Sequence, residues 1–309
     1  MVRPRAANAH VRPVIPTRLQ ELFADLRQYD SILWRRAMKA GVTHGPDALV
    51  RYSPPLFGLF FSVALASHRR TVLKNLRMAL GKRSPAEEYA DVARVFTNYA
   101  NCLTEAFVAG SDRGDRLVAH HVNDAHYIEA VEQGRGVIVA TAHTGGWQAA
   151  GPLLRSVHAA DVLVVMQRER DPRAQALQDL ARGRAGIRVH TSESPLDALP
   201  LLGHLRKKGV VAVQIDRLPP GMRSRAVKMF GKRWLVPEGP LQLAAVSGAP
   251  IIPTFTRRLR YMEYEVIAGP PIRLPRRPSA EQLDAAAQTT ITQMEHFIRE
   301  NPTQWFHFE

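Results

Sequence analysis

Between residues 136 and 151 the chain reads GVIVATAHTGGWQAAG. A β-branched, apolar run gives way at Thr141; His143 follows two residues later, with Gly145, Gly146, Trp147 and Gln148 close behind. Such a run predicts a buried strand, which puts the imidazole just past the strand's carboxyl end. The two glycines permit close approach and unusual backbone angles, and WQAAGPLL reads as the opening of a helix whose free N–H groups favour an anion. A base beside such donors is the apparatus of acyl transfer: one group takes a proton from the acceptor while nearby dipoles stabilise the tetrahedral oxyanion. Taken alone, a histidine in a glycine-containing loop is more often structural than catalytic, so the reading depends on the rest of the chain.

The elements that must position these residues divide by period. From about residue 18 to 110, LQELFADLRQYDSILWRRAM and YADVARVFTNYANCLTEAF carry apolar residues at helical spacing. Ser84, Pro85 and Glu87 form the start signal of the second helix. After residue 120 the strands GVIVATA, DVLVVMQ, GIRVH, GVVAVQID and APIIPTFTRR are interleaved with segments of helical length such as DPRAQALQDLARGR and SPLDALPLLGHLRKKG. This alternation predicts an α/β fold: a largely parallel central sheet flanked by helices, with an N-terminal helical layer. Such sheets place their chemistry at the carboxyl ends of the strands. A last helix is capped at Ser279 and stopped before Pro302. With no repeat and no linker, residues 18–309 read as a single domain, helical over 18–120 and α/β over 121–309, preceded by a flexible basic arm over 1–17.

Composition limits the partners. The formal charge of +14 attracts something acidic: nucleic acid, an anionic membrane face or an acidic protein such as an acyl carrier protein. Aromatic residues make up only 7% of the chain and Trp147 sits in the candidate site, which argues against nucleic acid. The single cysteine, Cys102, excludes an intramolecular disulfide and reads as a buried helical thiol. No histidine pair has metal-ligand spacing, so no metal is expected; phosphate-loop, dinucleotide and serine-elbow motifs are absent too. The stretch PPLFGLFFSVALASHRR is too short to span a bilayer. It fits a membrane interface, with Arg69 and Arg70 at the headgroups, and equally a helix packed on the domain.

Beyond the first loop, several side chains have the right type. Arg168, at a strand end, suits the phosphate of a phosphopantetheine or a lipid headgroup. Asp216 and Arg217 end a neighbouring strand, where they position acceptor or donor or form a structural ion pair. Arg223 and Arg225 lie in a glycine/proline loop as electrostatic guides. Glu238 either touches substrate or complements a helix dipole.

The stretch HTGGWQ resembles the H-x-x-x-x-[DE] motif of the bacterial lipid A biosynthesis acyltransferases, also called lysophospholipid acyltransferase-like proteins. ASHRRTVLKNLRMALG, VVMQRERDP, VAVQIDRLPPGMRSRAVKMFGKR, PEGPLQLAAVSGAPIIPTFTRR and NPTQWFHF resemble further blocks of that family, in its order, over roughly residues 60 to 308. The resemblance implies transfer of a fatty acyl group from an acyl carrier protein or coenzyme A thioester to a hydroxyl or amine of a lipid, glycolipid or other amphiphile. It implies His143 as general base, Gly145, Gly146, Trp147, Arg168, Asp216, Arg217 and Glu238 around the substrates, and no cofactor. It also implies a peripheral place on the inner, cytoplasmic face of the bacterial cytoplasmic membrane, and a hydrophobic channel beside His143.

One position departs from the pattern: Gln148 stands where the family has Asp or Glu. In the family the acid orients and polarises the histidine. A glutamine carbonyl accepts an imidazole N–H but brings no charge, and by analogy with a triad the loss could reach roughly 10⁴ in rate. Three readings follow: another carboxylate, Glu169, Asp216 or Glu238, reaches His143; the activity is changed or lost, leaving a non-catalytic lipid binder; or Gln148 replaces a native glutamate to block turnover. Restoring Glu at 148 is expected to raise the rate.

Overall fold

The N-terminal layer comprises α1 (Ile32–His44), α2 (Asp47–Tyr52), α3 (Pro54–Ala64), α4 (Ala66–Leu80) and α5 (Pro85–Ala109). The computed structural model describes residues 32–147, 161–167, 172–184, 187–191 and 198–309; the expected arm over 1–17 lies outside them. The start of α5 follows its sequence signal: the Ser84 hydroxyl accepts from the Glu87 N–H and the Glu87 carboxylate accepts from the Ser84 N–H. α3 lies close against α5 because Gly58 has no Cβ, which would otherwise meet the backbone of Phe96 and Thr97. At Leu65 the chain bends, and α2–α3 meets α4 at 97°. The Arg69 guanidinium folds back there and donates to the carbonyls of Ser62 and Val63, which the end of α3 leaves unpaired.

Next come β1 (Val118–Val122), α6 (Ala125–Glu132), β2 (Val137–Thr141), β3 (Val162–Met166), α7 (Pro172–Arg184), β4 (Arg188–Thr191), α8 (Ala198–Arg206) and β5 (Val210–Gln214). A hairpin, β6 (Ser224–Met229) and β7 (Lys232–Pro237), leads to α9 (Gly239–Ser247), β8 (Ile251–Arg260), β9 (Glu263–Ala268) and α10 (Ala280–Glu300). Among the described residues, seven strands form one sheet in the order β1-β9-β8-β2-β5-β3-β4. β8, β2, β5, β3 and β4 run parallel; β9 is antiparallel to β8 and parallel to β1. The mostly parallel sheet with its helical flanks is the expected α/β architecture, and all five expected strands are present. β1, β9 and the hairpin add to that expectation, and β1 moves the start of the sheet-forming region forward to Val118.

The parallel strands are apolar on both faces. Ile138, Ala140, Val211 and Ile251 meet α8, α9 and α10 on one side, while Val137, Val139, Val210 and Ile252 meet α4, α5 and α6 on the other. Both faces are buried, as the continuous rather than alternating hydrophobicity of GVIVATA demands. Phe306 and Phe308, near the end of the chain, join the second core.

Candidate active site

The sheet register explains the central contact of the site. β2 and β5 are parallel neighbours in which Thr141 lies opposite Gln214, and the Ile215 N–H donates to the Thr141 carbonyl just beyond the pairing. Two residues past Thr141 is His143; two past Gln214 is Asp216. Equal offsets along parallel strands put these two side by side at the carboxyl edge, while Ala142 and Ile215 turn into the core between them. The His143 Nδ1 lies 2.8 Å from Asp216 Oδ1, and the His143 backbone N–H donates to Oδ2 at 3.1 Å.

A third donor reaches the same carboxylate. The indole N–H of Trp305 donates to Asp216 Oδ2 at 3.1 Å. Its segment is anchored beside the histidine: Trp305 makes an isolated bridge with Thr144, and the Phe306 N–H donates to the His143 carbonyl at 2.7 Å. Asp216 is completely buried. Burial alone would raise its pKa, but the charge and hydrogen bond of His143, with Arg217 and His307 nearby, outweigh burial and hold the carboxyl below the usual carboxylate range. An ionised Asp216 only accepts, so Nδ1 carries a proton in either form of the ring, and in the neutral form Nε2 holds the lone pair. Nε2 has no hydrogen-bond partner among the described residues, and the ring is 14% exposed.

The loop after His143 rests on a second polar cluster. Gly146 has φ +82°, and any Cβ there would run into the ring of Tyr264. The Tyr264 hydroxyl donates to Glu105 Oε2 at 2.5 Å, and Arg258 donates to Oε1 through Nε at 2.8 Å. The Met262 N–H adds a further bond to Glu105. Gly145 faces the Gln304 amide, which donates to the Arg258 carbonyl and accepts from the Arg258 N–H. The close approach expected of these glycines is therefore made by the protein's own side chains. Trp147 meets the His143 ring edge-on, with centroids 5.1 Å apart. Burial, helped by Glu105, pushes the Cys102 thiol up to about 12, which makes it inert as a nucleophile.

Of the three carboxylates considered for His143, Asp216 makes the contact. Glu238 instead pairs with Arg225 at 3.3 Å and accepts from Gln242; Glu169, Gln148 and Arg168 lie outside the described residues. Arg217 donates to the Phe306 carbonyl and pairs with Glu309, which ties it to the C-terminal segment. Arg225, read as an electrostatic guide, is held in a structural network with Glu238, Asp284 and the Ala280 carbonyl; Arg223 is exposed. Among the described residues no three His, Cys, Asp or Glu side chains converge as a metal site. Trp305 and Glu105 are the two residues of this site to which the sequence alone assigns no role. A tryptophan beside glutamine in NPTQWFHF was the available signal for the first; an acid midway along an apolar helix face was the signal for the second.

An oriented imidazole whose Nε2 is unengaged among the described residues, backed by an ionised and buried carboxylate, is equipped to take a proton from a hydroxyl or amine. No curated protein sequence matches the chain. The family model described as bacterial lipid A biosynthesis acyltransferase matches residues 37–309, from within α1 to the end of the chain. The protein belongs to the bacterial lipid A biosynthesis acyltransferase family.

Proposed function

We propose that the protein moves a fatty acyl group from an acyl carrier protein or coenzyme A thioester to a hydroxyl or amine of a lipid, glycolipid or related amphiphile at the inner face of the bacterial cytoplasmic membrane. The observation that carries this reading is the His143–Asp216 pair at the carboxyl edge of the sheet. His143 Nε2 takes the acceptor's proton as the acceptor oxygen or nitrogen attacks the thioester carbonyl. The C–S bond then breaks, and the departing thiolate takes the proton back from the imidazolium, giving an ester or amide and a free thiol. Asp216 stabilises the imidazolium between the two steps, so the missing charge at Gln148 is made good from the neighbouring strand. Of the three readings of Gln148, this is the first: another carboxylate serves His143.

A cavity of about 240 Å³ lies between α1, α3 and α5, lined by Trp34, Phe57, Phe61, Leu103 and Phe308 among others. It exceeds the ~150 Å³ of an apolar cavity known to take up benzene. Tyr99 lines it and stacks edge-on to Phe306, whose N–H is bonded to His143. We assign this cavity to the acyl chain. The net charge of +14 favours the acidic carrier protein as donor.

The test is turnover of acyl carrier protein thioesters with lipid acceptors. His143→Ala is expected to lower kcat by about 10³-fold or more while the fold persists; full turnover in that variant would refute the mechanism.

A further inference from the structure

Among the described residues, fifteen large hydrophobic side chains remain exposed, and seven of them fall between Leu49 and Val63 on α2 and α3. Scattered apolar side chains are ordinary on a protein surface, whereas a concentration on one short helical run marks a contact. Leu56, Phe60 and Val63, at 67%, 58% and 75% exposure, are spaced four and three residues apart and so form one stripe along α3. The opposite side of α3 is occupied: Pro54, Gly58 and Ser62 are buried.

Beyond Asp47, which opens α2 and pairs with Arg113 and Arg116, the charge along this run has one sign. From Ala48 to Ala86 the sequence contains no Asp or Glu and seven Lys or Arg. Arg51, at one end, lies over the rings of Tyr52 and Tyr261. Arg69 closes the other end on the last carbonyls of α3, and Arg70 and Lys74 are exposed just beyond, on α4. An apolar stripe rimmed by cations fits an anionic bilayer surface, with rings and aliphatic chains among the acyl tails and guanidinium groups at the phosphates. A second copy of the chain fits poorly, because it would bring like charge to the rim. The geometry also decides how the stripe meets the bilayer. α3 has eleven residues, about 16 Å, and α4 departs at 97°. A run this short before so sharp a bend fits a place along the interface better than a crossing.

We propose that the exposed face of α2–α3, with its rim of Arg51, Arg69, Arg70 and Lys74, is the surface by which the protein docks on anionic membrane. The proposal rests on the lipid-acceptor reading only for its purpose. Phe57 and Leu49 are half-exposed on this face and also line the apolar cavity, so docking would bring the cavity wall to the hydrocarbon.

The experiment is flotation of the full-length protein with vesicles of phosphatidylcholine containing phosphatidylglycerol, and with phosphatidylcholine alone. Leu56→Ser/Phe60→Ser/Val63→Ser is expected to lower the bound fraction on anionic vesicles by about tenfold or more, with cooperative unfolding retained and only a small fall in Tm, because these side chains are mostly exposed and only Phe60 packs on a neighbouring ring, that of Phe61. Arg70→Glu/Lys74→Glu is expected to lower it by about tenfold on anionic vesicles only. Transfer to an acceptor dispersed below its micelle concentration should be unaffected by either set. Three results would overturn the proposal: wild-type flotation of the triple variant, a wild-type dimer that the triple variant splits, or binding that depends on residues 1–31 instead. Flotation requires no turnover, so a protein that binds vesicles but transfers nothing breaks the functional reading and leaves the docking surface standing.

Discussion

Two carboxylates are buried near the loop that follows His143, and they are used in opposite ways. Glu105, on α5, is 2% exposed and receives Arg258, the Met262 N–H and the Tyr264 hydroxyl. Its charge is neutralised by a full positive charge, and its bonds end in the interior. Asp216 is equally inaccessible, but its donors are the backbone and Nδ1 of His143 and the indole of Trp305, none of which need be charged. Its negative charge is thus directed through one imidazole towards the surface, where Nε2 is unengaged among the described residues. Burial does not distinguish a structural acid from a chemical one; the distinction is whether the network that satisfies it closes on itself or ends on an unfinished bond.

The comparison can be broken most directly by neutralising each acid. Asp216→Asn should lower kcat by roughly 10²–10⁴-fold, because a carboxamide neither enforces the Nδ1–H tautomer nor stabilises the imidazolium, while cooperative unfolding is retained. Glu105→Gln should do the reverse, costing about 3 kcal/mol or more of stability by leaving Arg258 without its partner, with kcat of the folded protein within about threefold of wild type. Loss of turnover in Glu105→Gln at a temperature where it remains folded would erase the distinction between the two.

A smaller effect concerns pH. Asp216 has a folded pKa below its unfolded value of about 3.9, so the stability its ionisation contributes is fully present above that value and disappears as pH falls through the folded pKa. Urea unfolding followed from pH 7 to 2.5 should therefore steepen below about pH 4 in the wild type and be flatter there in Asp216→Asn. Equal slopes would show that the carboxylate is not held ionised by its neighbours. The smallest effect is at Gln148: with Asp216 already serving His143, Gln148→Glu should change kcat by less than about threefold, since groups acting on one imidazole do not add. A large gain would return the role of polarising acid to position 148, as the motif by itself implies.

How much of this was legible in the sequence depends on the range of the interaction. The parallel strands and the capped helices follow from patterns within twenty residues, and they came out of period and capping alone. The site divides the same way. His143 was legible because a strand, a histidine and two glycines are contiguous. Asp216 appeared as one of three carboxylates, and only the pairing of Thr141 with Gln214 selects it. β1 and β9 were missed because VAHHV and EYEVIA are short and carry histidine or glutamate; pairing along the edge of β8 overrides that weak local preference. Glu105 leaves only a weak local signal for a related reason, since Arg258, Met262 and Tyr264 lie far along the chain, on β8, on β9 and in the turn between them.

The indole that steadies Asp216 belongs to a segment joined to the sheet only after β8, β9 and α10. Synthesis proceeds from the amino end, so the histidine and its carboxylate leave the ribosome well before the group that fixes them. A nascent chain that has emerged only as far as Asp216, just past β5, therefore holds an imidazole and an acid whose orientation is incomplete. The His143–Asp216 pair gains its third donor only with Trp305, which makes the finished geometry of this carboxylate a late event in the life of each molecule.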